Sequence, residues 1–389
     1  MALFDDVSPS NKLLANVRRL QPKVPMNVPL ERQSESPLVS IIMPCYNEEK
    51  FIPGAITSLL KDAGPTPTEI IVADALSTDG SAAVVRDFIS QGLPIRLIQN
   101  PGKYPSRGLN LCLREAKGAF IVRADAHCVY PPNYIQRCLE LLRSKDAANA
   151  GGVMAPLGRT PLQQGIAEAM RHRIGVGDAR FHLGDYTGYV DTVYLGAFRK
   201  DLIDEIGMYD QEMRANEDAE FNLRILKAGK KIFLDSSLQT IYFPRTSLRQ
   251  LAKQYFFYGR GRAYTVWKHK RFTSWRQVGP PLLVLGLCSS LALSFLSAYF
   301  LLLPALYILS VLLIALGAKT GGMPLRRSPA ETDGFGPIET AKLSPFAIRL
   351  AMGMAIVVMH ICWGTGFLTK CPRFPFGKRT HRLPASGQT

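Results

Sequence analysis

Ala119-Phe120-Ile121-Val122-Arg123-Ala124 runs directly into Asp125-Ala126-His127. The first six residues read as a strand, and the chain leaves it through a carboxylate and an imidazole, two groups able to hold a divalent metal. Val39-Ser-Ile-Ile-Met-Pro-Cys-Tyr-Asn-Glu-Glu49 and Ile70-Ile-Val-Ala-Asp74 are built alike, each a β-branched run closed by polar residues. Strands are expected at 39–43, 69–74, 95–98 and 119–124, with helices near 51–61, 81–90, 106–116 and 133–144. Such alternation predicts an α/β domain with a mostly parallel sheet between helices. Ligands then bind beyond the carboxyl ends of the strands, where Asn47, Asp74 and Asp125 fall.

The 389 residues suffice for this domain plus an appended region. Lys and Arg number 47 against 31 Asp and Glu, a formal charge of +16. Much of the excess flanks apolar segments: Arg260, Arg262, Lys268, Lys270, Arg271 and Arg276 before them, Lys370, Arg373, Lys378, Arg379 and Arg382 after. That placement favours an anionic membrane surface over nucleic acid, for which no binding motif is present. The seven cysteines form no Cys-x-x-Cys pair, which argues for small buried residues in a reducing compartment rather than disulfides or zinc. Residues 1–20 lack the apolar run of a secretory leader, so the α/β part is expected in the cytoplasm.

Residues 1–37 read as an N-terminal extension ending in a Pro-rich linker. Gln277 to Ala318 contains no charged residue. One helix of that length would run roughly 60 Å, twice the hydrocarbon core, so a membrane-inserted hairpin punctuated at Gly286 or Pro304 is expected. A third apolar stretch, 346–368, carries Arg349, which can snorkel to the interface, and His360. The positive-inside rule keeps the loop before Gln277 and the returning Lys319, Arg326 and Arg327 in the cytoplasm. A third span would export the basic tail from Lys370 onward, against that rule. Either the last stretch is re-entrant or interfacial, or the number of spans is even.

With these motifs in order, the chain resembles the family 2 glycosyltransferases, within them the ExoA-type glucosyltransferases of succinoglycan and related exopolysaccharide pathways. The resemblance implies a GT-A nucleotide-diphosphosugar transferase domain over 38–265, and a C-terminal membrane region over 266–389 with apolar segments at 278–318 and 346–368. It also implies an inverting single displacement from a nucleotide sugar, here UDP-glucose, assisted by Mn²⁺ or Mg²⁺. The acceptor would be a polyprenyl-diphosphate-linked saccharide at the bacterial inner membrane, with other exopolysaccharide proteins as partners.

By the resemblance, the Pro44-Cys45-Tyr46-Asn47-Glu48 turn lies beside the base, where Asn47 and Glu48 can hydrogen-bond a uracil edge or ribose. Asp74 matches the first carboxylate of the family's Asp-Asp-Gly-Ser, while Ala75 and Leu76 replace the second carboxylate and the glycine. In Gly102-Lys103-Tyr-Pro-Ser-Arg107, Lys103 and Arg107 can neutralise diphosphate oxygens, and Ser106 can cap the following helix. Asp125-Ala126-His127 occupies the Asp-x-Asp position. If the segment is extended, its first and third side chains share a side, Asp125 meeting ribose or metal and His127 ligating metal, with Mn²⁺ favoured over Mg²⁺ by the softer imidazole. Asn216-Glu217-Asp218 resembles the Glu-Asp motif at a helix start, with Asp218 the general base and Glu217 in support. The segment Tyr242-Phe-Pro-Arg245 and residues Gln254, Arg260 and Arg262 resemble the part that closes over the donor, where the last three can contact phosphates. An amphipathic interfacial helix is a compatible account of the same residues.

Other readings share these motifs. Within enzymes they are transfer to polyprenyl phosphate, and processive synthesis, although 253–262 lacks the Gln-x-x-Arg-Trp of processive relatives. From another class, a non-catalytic nucleotide-binding membrane adaptor is kept open by Ala75 and His127.

Overall fold

The computed structural model describes residues 38–272, 274–320 and 343–370. The α/β part begins with β1 (Val39–Cys45), α1 (Ile52–Ala63), β2 (Thr68–Asp74), α2 (Ser81–Ser90), β3 (Ile95–Gln99), α3 (Pro105–Glu115) and β4 (Phe120–Arg123). The short β5 (Cys128–Val129), α4 (Tyr134–Ser144), β6 (Asn149–Pro156), α5 (Pro161–Arg171), β7 (Gly188–Tyr189) and β8 (Tyr194–Arg199) follow. Then come α6 (Glu217–Lys227), β9 (Ile232–Tyr242) and the long α7 (Leu248–His269). Three apolar helices close the order: α8 (Gly279–Leu293), α9 (Leu302–Gly317) and α10 (Pro345–Lys370).

The strands form one sheet in the order β3-β2-β1-β4-β8-β6-β9-β5, with β7 also on β9. Only β5, β7 and β8 run against the rest. Both faces of the central strands are buried, which is why they read as unbroken apolar runs. Alternation divides them: Ile41 and Met43 enter one core with Ile52, Ile56 and Leu59 of α1, while Ile42 enters the other with Leu109 of α3 and Phe221 of α6. Pro44 is tolerated in this central strand because pairing with β4 stops at Ile42–Arg123, before its missing N–H would be needed.

The second half of the sheet is irregular. A β-bulge interrupts β6 at Gly151-Gly152, where a methyl on Gly152 would lie 1.9 Å from the Leu238 carbonyl oxygen. Helix α4 is capped from outside: Asp62 of α1 accepts from the N–H groups of Tyr134 (3.0 Å) and Ile135 (2.7 Å).

Several expectations are corrected. Ser106 does not cap α3; its buried hydroxyl donates to the Met213 carbonyl at 2.7 Å, and no side chain caps that helix. The break expected after residue 265 falls inside α7. Residues 294–297, rather than Gly286 or Pro304, separate the two helices of the apolar hairpin. Arg349 donates to the Ala318 carbonyl at 3.2 Å. The basic residues Arg326, Arg327, Arg373, Lys378, Arg379 and Arg382, together with residues 1–37, lie outside the described residues.

Candidate active site

Strand order reverses between β1 and β4, and the loops leaving these strands with that of β2 build a rim there. The β1 and β2 loops are fastened together. Asn47, in the left-handed region at φ 56°, accepts through its side-chain oxygen from the Thr78 N–H at 2.8 Å, and its own N–H donates to the Ser77 hydroxyl at 3.0 Å. The Glu48 N–H donates to the Ser81 hydroxyl at 2.7 Å, and Glu49 bonds the N–H of Gly80. Asp74 is buried at the end of β2 and accepts from the Ser77 N–H. Tyr46 is exposed at the rim.

After β4 the chain turns at residues 126 and 127 instead of staying extended as expected, and the turn itself brings side chains together. Ligand atoms of Asp125, His127 and Cys128 lie within 4.8 Å of one another. Cys128 is wholly buried, its sulfur sits 3.1 Å from the Tyr194 hydroxyl, and burial holds its thiol well above its ordinary pKa in the ion-free protein. His127 Nδ1 lies 3.1 Å from Glu48 Oε1, so Nε2 is the nitrogen left for another partner. Burial opposes a charge on this ring, but the hydrogen bond and charge of Glu48, then Asp125, raise its pKa in the ion-free protein. The remaining donors, one carboxylate and one imidazole, suit a divalent cation completed by phosphate oxygens and water.

Arg123 is the hub that the sequence leaves without a role. Its Nη2 lies 2.7 Å from Glu217 Oε1 and 3.6 Å from Asp125 Oδ1, and its Nη1 lies 3.9 Å from Asp218 Oδ2. Burial opposes the guanidinium charge, yet Glu217, Asp125 and Asp218 together hold its pKa well above the ordinary value. The two acids differ in setting. The Glu217 side chain is 6% exposed; burial raises its pKa, offset in part by Arg123. The Asp218 side chain is 37% exposed, in the first turn of α6. Asn216 enters that helix at φ 61° and donates to the Tyr258 carbonyl of α7 at 2.7 Å. The Glu48–His127 and Arg123–Asp218 contacts thus chain Asp74, His127 and Asp218 along one rim.

The other expected residues divide. Gln254 sits under the rim, donating to the hydroxyls of Tyr242 (3.1 Å) and Tyr258 (2.8 Å). Arg245, beside it, is influenced by the charges of Glu48 and Asp125. Arg262 has no hydrogen-bond or ion-pair partner among the described residues. Burial, with Arg276 nearby, lowers its pKa to about 10 despite Asp218 and Asp191. Arg107 is tied instead to the Gln211 carbonyl and Glu212, Lys103 is exposed, and Arg260 lies over the Phe256 ring. A cleft of about 420 Å³ is lined by Asp178, Arg180, Tyr186, Tyr189, Asp191 and Arg276. Arg276 spans it, 2.6 Å from Asp178 and 2.7 Å from Asp191.

A mixed, mostly parallel sheet between helices, with its carboxylates and imidazole gathered at the switch point, is a GT-A-like fold. Residues 40–207 match the model of glycosyl transferase family 2, and the chain carries a glycosyltransferase domain of that family. It is 27% identical over 336 residues to succinoglycan biosynthesis protein ExoA of Rhizobium meliloti (strain 1021), covering 84% of this chain and 93% of that protein. It is 23% identical to the dolichyl N-acetyl-alpha-D-glucosaminyl phosphate 3-beta-D-2,3-diacetamido-2,3-dideoxy-beta-D-glucuronosyltransferase of Methanococcus voltae, over 59% of this chain and 74% of that protein. Among solved structures, the mannosyltransferase PcManGT from Pyrobaculum calidifontis, in complex with GDP-Man and Mn²⁺, superposes with a TM-score of 0.50 at 17% identity. That match covers 90% of this chain and 93% of that one, and bears on the fold alone.

Proposed function

We propose that this chain is an inverting glycosyltransferase that moves a sugar from a nucleoside diphosphate, UDP-glucose by its likeness to ExoA, onto a lipid-linked saccharide. The work would take place at the cytoplasmic face of a bacterial inner membrane. The observation that carries this reading is the Arg123 hub, whose guanidinium lies 3.6 Å from Asp125 on one side and 3.9 Å from Asp218 on the other.

In this reading Asp74 and the Asn47 turn receive the base and ribose, while Asp125 and His127 Nε2 hold Mn²⁺ or Mg²⁺. A bound cation would offset negative charge on the departing nucleoside diphosphate. Glu48 orients the imidazole. Arg262, with Arg245 and Gln254, faces the diphosphate. The cavity around Arg276 receives the acceptor saccharide, its tyrosines offering sugar-stacking faces and its acid–guanidine pairs offering hydroxyl partners. Asp218 takes the proton of the acceptor hydroxyl as that oxygen bonds the anomeric carbon and the bond to diphosphate breaks on the opposite face. Glu217 cannot do this work because Arg123 occupies it in a buried pair.

The test is transfer from radiolabelled UDP-, GDP- and dTDP-sugars to membranes carrying lipid-linked precursors, with product size read out. One added residue is expected; a polymer or a lipid monophosphate sugar would favour the processive or polyprenyl-phosphate reading. Asp218→Asn should fold and bind nucleotide yet transfer at least ~100-fold more slowly. Turnover near normal in that variant removes the assignment.

A further inference from the structure

By length and apolarity alone, Ala298–Gly317 and Pro345–Lys370 are each able to cross a bilayer. Their packing points elsewhere. Helix α10 is pinned antiparallel to α7 by two close crossings. A methyl on Gly259 would lie 2.0 Å from the Trp363 carbonyl oxygen, and one on Gly366 would lie 2.0 Å from that of Phe256. Towards its other end, α10 meets α5, where a methyl on Gly165 would lie 2.4 Å from the Ala351 side chain. Between them His360 Nε2 lies 2.7 Å from the Ile174 carbonyl oxygen. Met352, Ala355, Ile356 and Met359 belong to the same buried cluster as β1 and β4. The helix therefore touches the catalytic part along its length.

Its neighbour α7 carries Arg249, Lys253, Arg260, Arg262 and Lys268. Such charges are costly at the centre of a bilayer, so α7 does not lie at hydrocarbon depth, and neither does the helix packed along it. Helix α9 follows α10 in turn. Tyr307 Oη is 3.1 Å from His360 Nδ1, a methyl on Gly353 would be 3.4 Å from the Ala315 side chain, and Arg349 reaches Ala318. These pairs run in opposite sequence directions, so α9 lies along α10 for about 16 Å rather than rising from it. Helix α8, at 15 residues, is about 22 Å long, short of a ~30 Å core. What remains open is an apolar face with Leu282, Leu306, Leu309 and Leu313 on the hairpin and Phe295 and Leu296 at its tip, the last two 94% and 80% exposed. Lys270, Arg271 and Lys319 stand where this segment begins and ends, complementary to anionic headgroups.

We propose that the chain is monotopic. The α8–α9 hairpin lies within one lipid leaflet, α10 is a strut between that hairpin and the catalytic part, and none of the described helices crosses. The basic tail after Lys370 thereby stays on the catalytic side. This rests on the membrane attachment proposed above, and fractionation separates the two ideas: a chain recovered in the soluble fraction overturns the attachment itself.

The test is labelling with a membrane-impermeant maleimide in three variants whose Cys288, Cys362 and Cys371 are replaced by serine. Gln91→Cys reports the catalytic part, Ser297→Cys the hairpin tip and Thr389→Cys the end of the chain. In sealed spheroplasts none should react, and in inside-out vesicles Gln91→Cys and Thr389→Cys should. Reaction of Ser297→Cys in spheroplasts means that the hairpin crosses, reaction of Thr389→Cys there means that α10 crosses, and either overturns the proposal. Recovery of each variant in the membrane fraction guards against misfolding.

Discussion

Leu76 adopts φ 59° in the loop after Asp74, at the position where the resemblance expects glycine, with its side chain 40% exposed. A β-carbon in the left-handed region costs roughly 1–2 kcal/mol, while glycine loses about 0.5–1 kcal/mol of backbone entropy. Leu76→Gly should therefore stabilise the protein by about 0.5–1 kcal/mol, moving the denaturant midpoint upward at unchanged slope. A midpoint that falls would show that the leucine is held there by packing. At this scale the sequence is legible where a residue type has one chemical use. Asp74, Asp125, His127 and Asp218 fall on one rim for that reason. Arg123 was hidden because a lone arginine in an apolar run announces no partner, and Glu217 is 94 residues away. For Arg107 a basic loop suggests phosphate, and only the fold reveals Glu212 beside it.

Between elements, α6, which carries Asp218, is tied to α7 through Glu220, which is wholly buried among Arg224, Lys268 and His269. Burial would raise its pKa, but the hydrogen bonds and charges of Arg224 and Lys268 outweigh burial and lower it. A carboxylate with a depressed folded pKa contributes stability above its unfolded value of about 4.5, and loses that contribution as pH falls through the folded value. Glu220→Gln should cost about 2 kcal/mol at pH 7, the scale of a charged hydrogen bond, and should flatten the acid limb of a melting-temperature profile. Parallel acid limbs in the two proteins would sink this account. The elements of the first half were legible because parallel strands buried on both faces are continuous β-branched runs. In the second half, Asn149-Ala-Gly-Gly-Val-Met-Ala-Pro156 hides β6, since its glycines serve a bulge and its alanines carry no strand preference.

Across the whole molecule, apolarity was legible but its destination was not. The stretch 346–368 looks the same whether lipid or protein covers it, and here α5 and α7 cover much of one side. Ile166 and Met170 of α5 and Leu251 of α7 share a cluster with Met352, Ile356 and Met359 of α10. Removing α10 would bare side chains whose burial is worth about 1.5–3 kcal/mol each. A fragment spanning 38–269 should therefore bind a hydrophobic dye strongly and elute as aggregate in size-exclusion chromatography, whereas a chain carried through Lys370 in detergent should not. A monodisperse, dye-silent fragment would refute this. The sheet and the last helix are in this sense one casting: an enzymologist cannot saw off the greasy end to obtain a tractable soluble catalyst, and any lineage that lost the last helix would have had to rebuild the wall behind the sheet.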